Sequence, residues 1–190
     1  RGAGWHLGSF YGFQLSERVV LDLRTEYRVL GENYLPTYFG PLYEIERYSY
    51  RSVADSPVQL PKLQWLRSGQ EDELRHGYLL EGGINVGNQF VLTMLWEDYQ
   101  GRNNSTAWIR LQLPQVGPVR LGAYYANTRF QGIGGLFDFE NALAIAEARV
   151  MMTKWLYLQA QGNRRWELSD DGDYRPVDDW SIMAGASFGF

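Results

Sequence analysis

Two histidines and a scattering of acids are the residues of this chain with the most scope for chemistry. His76 follows Glu71, Asp72 and Glu73, while Asp178 and Asp179 lie far downstream. A carboxylate–histidine pair can activate water, so such a grouping would suit a hydrolase or a protease. The spacing gives it little support. Strand neighbours two apart face the same way, and the residue two before His76 is Leu74. His76 is therefore a weak catalytic candidate. Gly77 and Tyr78 follow it, with no serine beside them to serve as a nucleophile. His6 falls among glycines and reads as a packed polar residue. The acidic run Ser169 to Asp173 offers oxygens to Ca²⁺ but misses the spacing of a calcium loop, so neither a metal nor a cofactor is expected. Cysteine is absent, which removes disulfides and thiolate metal sites. A net charge of −4 argues against nucleic acid as a partner.

The charges are organised as rows rather than as a site. Between Arg18 and Val29, one parity carries Val19, Leu21, Leu23, Thr25, Tyr27 and Val29. The other carries Asp22, Arg24, Glu26 and Arg28. Successive strand side chains point to opposite faces, so this segment has one apolar and one ionic face. The same sorting recurs along the chain. It assigns Glu81, Glu97, Arg110, Arg120, Glu147 and Arg149 to the ionic parity, with Gly4, Gly8, Gly12, Gly185 and Gly189. The basic residues are nearly all arginine, only Lys62 and Lys154 being lysine. Arginine keeps its charge when desolvated and pairs with carboxylates through a fork, which suits charges packed against one another.

About ten strands are expected, at 3–14, 18–30, 38–50, 76–87, 90–100, 106–113, 118–129, 141–152, 155–167 and 179–190. The third is the weakest, because Pro41 interrupts it and Arg47 falls on its apolar parity. Gly87-Asn88, Pro114 to Pro118 and Thr153-Lys154 read as short turns. Residues 51–75, 100–105, 130–140 and 168–178 read as longer loops. Short turns at one end and long loops at the other mark a transmembrane β-barrel. Ser16-Glu17, a short turn that would fall at the long-loop end, breaks the rhythm. The segment Ser56 to Leu66 is unusually apolar for a loop and would cap the barrel mouth. No linker divides residues 1–190, which are expected to form one domain. Arg1 reads as a processed end or a cut within a longer chain.

Alternation alone does not say which face is inside, since a soluble barrel also has one apolar face. Strand length and aromatic placement favour lipid outside. Segments of 10 to 13 residues suit tilted strands that cross a bilayer, which takes about 9–11 residues. Tyr78, Trp96, Tyr125 and Trp180 fall toward the long-loop end of the apolar parity, and Trp5, Phe188 and Phe190 toward the other. Two such belts are the girdles of a membrane barrel. Glycine on the ionic parity suits a crowded lumen better than a solvated exterior.

The chain ends Met183-Ala-Gly-Ala-Ser-Phe-Gly-Phe190, with apolar parity kept to the last residue. Phe190, Phe188 and Gly185 resemble the C-terminal assembly signal of Gram-negative outer-membrane barrels, although Met183 stands where that pattern begins with a polar residue. The resemblance implies a bacterial outer-membrane location and recognition by the barrel-assembly machinery. It also implies contact with outer-membrane lipid and lipopolysaccharide. The omptin proteases are outer-membrane barrels of ten strands, but the Asp-x-His of their chemistry is not matched at His76. The sequence therefore predicts an all-β, antiparallel, transmembrane up-and-down barrel with a charge-paired lumen. It would act as an anchor, scaffold or narrow conduit, with an upstream or periplasmic domain as a further partner. A rim hydrolase or protease and a small diffusion porin are the alternatives. With Phe190 in the periplasm and ten strands, the chain would also start there.

Overall fold

A computed structural model describes residues 3–31, 34, 48–53, 56–61, 74–87, 89–101, 104–138, 142–169 and 171–186. Eleven strands appear among them: β1 (Gly4–Gln14), β2 (Val19–Leu30), β3 (Tyr48–Val53), β4 (Ser56–Pro61), β5 (Arg75–Val86), β6 (Phe90–Tyr99), β7 (Ser105–Gln112), β8 (Val119–Phe130), β9 (Ala142–Met151), β10 (Leu156–Leu168) and β11 (Tyr174–Ala186). Nine of them form one sheet in the order β1-β2-β5-β6-β7-β8-β9-β10-β11, every pair antiparallel. β3 and β4 form a separate hairpin. The sheet is not closed: β1 and β11 are its two edges.

Nine strands rather than ten change the orientation of the start. Most of the expected third strand, 38–47, lies outside the described residues, and 48–50 belong to the separate β3–β4 hairpin. The large sheet passes directly from β2 to β5. β1 therefore runs in the same direction as β11 and begins at the long-loop end, which overturns the expectation that the chain starts where it finishes. The same change removes the irregularity at Ser16-Glu17. That turn now shares one end of the sheet with the turns at Gly87, 113–118 and 152–155. Gly87 there sits at φ 58°, the left-handed backbone a tight primed turn requires, and Val86 O accepts a hydrogen bond from Gln89 N at 3.1 Å. Trp5 moves with β1 to the long-loop end, leaving Tyr11 and Phe13 as the aromatics of β1 at the short-turn end.

The last hairpin is longer than its sequence suggests. β11 starts at Tyr174 rather than 179, so the connection shrinks to 169–173 and Trp180 falls mid-strand. Pro176 and the acids around it disguise the strand. Pro176 costs no ladder bond on an outer edge, and Asp178 is satisfied across the pair, so neither ends the strand.

Strand register assigns every side chain to a face. Arg28 sits opposite His6 and Gly77, Glu26 opposite Gly8 and Leu79, Glu97 opposite Leu79 and Thr106, and Arg149 opposite Arg120 and Gln159. All ten residues of the expected charge network share this face, and Gly4, Gly8, Gly12 and Gly185 lie on it too. The glycines make room for large neighbours. A Cβ at Gly77 would strike the ring of Tyr99, and one at Gly185 the ring of Tyr157. Gly77→Ala is expected to cost about 1–3 kcal/mol through overpacking. Denaturant unfolding should register the loss, and only part of it should vanish in a Tyr99→Ala background, because the Asp98 carbonyl oxygen crowds the same position.

Candidate functional site

The ionic face holds the most deeply buried charges. Arg28 is 2% exposed and Glu97 7%, whereas Trp180 and Ile182 on the apolar face are each 82% exposed. Three charged clusters lie on this face among the described residues, the third being the exposed group of Arg165 with Glu167 and Asp179. In the first, Arg28 Nε donates to Glu26 Oε2 at 2.7 Å and Nη1 to Glu97 Oε1 at 3.0 Å. Nη1 also donates to the Tyr99 hydroxyl at 2.9 Å, and that hydroxyl donates to Glu97 Oε2 at 3.3 Å. Arg24 Nε donates to Glu26 Oε1 at 2.7 Å, and Nη1 reaches Glu81 Oε2 at 3.4 Å. His6 Nδ1 lies 3.5 Å from Glu26 Oε2. Alternation on β1, β2, β5 and β6 places these groups on adjacent strands at matching height. Burying ions is tolerable only with partners of this kind.

In the second cluster, Arg149 donates from Nε and Nη2 to Gln159 Oε1 at 3.1 and 2.8 Å. Gln159 Nε2 in turn donates to Glu147 Oε2 at 3.2 Å. Arg149 also stacks 4.4 Å above the Tyr157 ring. Asp22, Arg110 and Arg120 lie on the same face but form no ion pair among the described residues. Sequence reasoning missed Tyr99 and Gln159, because neither carries charge. Their shared parity with the charged rows was the available signal.

His76, the weak catalytic candidate, stands beside a phenol among the described residues. Its ring lies on the apolar face, with Nδ1 2.5 Å from the Tyr27 hydroxyl and Tyr27 stacked beside it. Glu71, Asp72 and Glu73 lie outside the described residues. Asp178 and Asp179 sit within β11, not at its rim, and are committed to arginines. Arg164 grips Asp178 through two bonds of 2.7 and 2.8 Å, and Arg165 pairs with Asp179. In the 169–173 turn, Asp171 pairs with Arg175. The Ser169 hydroxyl, then the Asp173 backbone N–H and Arg175, hold the Asp171 carboxyl below its ordinary range. Among the described residues, no three His, Asp or Glu side chains converge as metal ligands.

A second feature lies on the apolar face. At Arg129 the backbone takes φ 61°, and the register shifts between Ser105 and Thr106. This bulge turns Phe130 onto the apolar face with Ser105. The chain then folds back as a short 3₁₀ turn, Ile133–Phe137. Asn127, 1% exposed, holds it down by donating from Nδ2 to the carbonyls of Gly135, Leu136 and Asp138 at 3.0, 3.1 and 2.8 Å. The Tyr125 hydroxyl adds a bond of 2.8 Å to Leu136 O. Asn127→Ala would remove the Asn127 donor from the Asp138 carbonyl and leave Gly135 O and Leu136 O with only Asp138 N–H and the Tyr125 hydroxyl, at about 1–3 kcal/mol. Limited proteolysis should then cut within 131–138 while the sheet stays intact.

Of the expected assembly signal, Gly185 lies on the ionic face against Tyr157, while Phe188 and Phe190 lie outside the described residues. The apolar segment Ser56 to Leu66 contributes its first six residues to β4, and 62–66 lie outside the described residues. Comparison of the chain with protein-family models, curated proteins and solved structures returns no match.

Proposed function

We propose that the chain is a small β-barrel of the bacterial outer membrane, serving as a non-enzymatic anchor, scaffold or narrow conduit with a charge-paired interior. The observation that carries this reading is the inverted polarity of the sheet. In water, a sheet gains by hiding tryptophan and isoleucine and by solvating arginine and glutamate. Here Arg28 and Glu97 are packed away, while Trp180 and Ile182 face outward. Hydrocarbon around the apolar face makes that arrangement favourable.

Within a bilayer, the free backbone groups along β1 and β11 would each cost several kcal/mol, so the two edges must be satisfied. Both strands run in the same direction, so joining them directly gives a parallel seam. Partners follow from the setting: outer-membrane lipid and lipopolysaccharide at the apolar face, the barrel-assembly machinery through Gly185, Phe188 and Phe190, and an upstream or periplasmic domain. Among the described residues, the Arg28 and Arg149 clusters span the interior face, which supports a plugged or very narrow passage over an open porin.

The test is reconstitution. The purified chain should require detergent or lipid to stay monodisperse, and in planar bilayers it should conduct weakly or not at all. A monodisperse species in detergent-free buffer would sink the membrane reading. Large, steady conductance would replace the anchor with a diffusion porin.

A further inference from the structure

We infer that the apolar face carries a binding groove for a single acyl chain of a membrane lipid, an inference that rests on the membrane reading above. The groove encloses about 350 Å³ beneath the loop that Asn127 fastens down. Leu23, Gly82, Met94 and Ile109 form its floor, with Ile133 and Leu136 as the loop wall. Gly82 creates the hollow. It sits between Leu23 and Met94 across the strands, and a Cβ built on it meets nothing closer than the Asp22 carbonyl oxygen at 3.9 Å.

Three features select the occupant. Apart from Asp22, whose side chain belongs to the ionic face, the lining residues are apolar, so a peptide would bring backbone N–H and C=O groups with little to bond them. A methylene chain brings none. The floor runs lengthwise on β5 from Leu80 to Ile84, about 13 Å at ~3.3 Å per residue, which suits a linear chain. Finally, the groove is continuous with the exposed apolar face, so a lipid chain enters from the surrounding hydrocarbon without crossing water. The wall is fixed by the buried Asn127 bonds rather than by contact with the ligand, so the hollow is formed before a chain arrives.

The test follows binding of dansyl-labelled undecanoic acid to the protein in non-ionic detergent, read by energy transfer from tryptophan, of which Trp96 lies in the groove wall. Saturable binding at one site is expected, displaced by excess dilauroyl phosphatidylglycerol. Gly82→Leu fills the hollow and should weaken binding about tenfold or more. Ile133→Glu leaves the sheet untouched, places a carboxylate in the wall, and should do the same. Ala146→Leu, on the apolar face of β9 away from the groove, should bind as the unaltered chain does. Equal, unsaturable uptake by all four proteins would overturn the groove even if the chain proves to need a bilayer. So would failure of the phospholipid to displace the probe. Saturable binding lost in Gly82→Leu by a chain that is monodisperse in plain buffer would uphold the groove and remove the membrane reading alone.

Discussion

Replacing Arg28 with alanine is expected to cost about 3–5 kcal/mol of stability, the largest effect of any single substitution on the ionic face. Arg28 joins Glu26, Glu97 and Tyr99, and its side chain is nearly sealed from solvent. Removing it strips Glu26 and Glu97 of the cation they share, while Arg24 stays bonded to Glu26 and the Tyr99 hydroxyl to Glu97. The loss measures that abandonment more than the worth of the ion pair itself. Hence Arg28→Leu combined with Glu97→Leu should recover part of the deficit, because similar apolar volume replaces both charges at once. Urea unfolding in lipid vesicles, followed by tryptophan fluorescence, reads both variants. A loss below about 1 kcal/mol for Arg28→Ala would mean that water reaches the cluster and screens it as it does a surface pair.

Leu80→Arg and Ala146→Arg should each destabilise the chain in a bilayer by about 2–4 kcal/mol, the cost of a cation near the middle of the hydrocarbon. Both residues are exposed and lie near the centres of β5 and β9. In water, adding a charge at an exposed strand position usually changes stability by less than about 0.5 kcal/mol. The two environments therefore predict different results for the same pair of variants. Vesicle unfolding titrations decide between them, and near-neutral values would rule out lipid around this face. An arginine close to either end of the same strands should cost less, because it can extend to the headgroups.

Much of this molecule is legible from residue order. Parity alone sorted Asp22, Arg24, Glu26 and Arg28 from Leu21, Leu23 and Val29, and the register keeps the ten expected charges on one face, although Arg164 and Asp178 pair on the other. Side-chain direction in a strand is local geometry, so the two faces need no tertiary information. Turn chemistry was local as well: Gly87 adopts the left-handed backbone its place in a hairpin implied. The extent of β11 was hidden, because Pro176 and Asp178 are loop-like by composition. They are accommodated only because Pro176 sits on an edge and Arg164 answers Asp178 from the next strand.

What sequence could not decide was everything that depends on which strand lies next to which. The passage from β2 straight to β5 fixes nine strands in the large sheet, turns β1 around, and moves Trp5 to the opposite end. The choice of partner for Arg28 among several carboxylates of suitable parity was likewise a matter of strand adjacency and height. So was the fold-back of residues 131–138 onto the apolar face, set by the bulge at Arg129 and by the three bonds from Asn127. Alternation is dictated by the chain's own stereochemistry. Pairing is a competition among distant segments, settled by the combined energy of all their contacts.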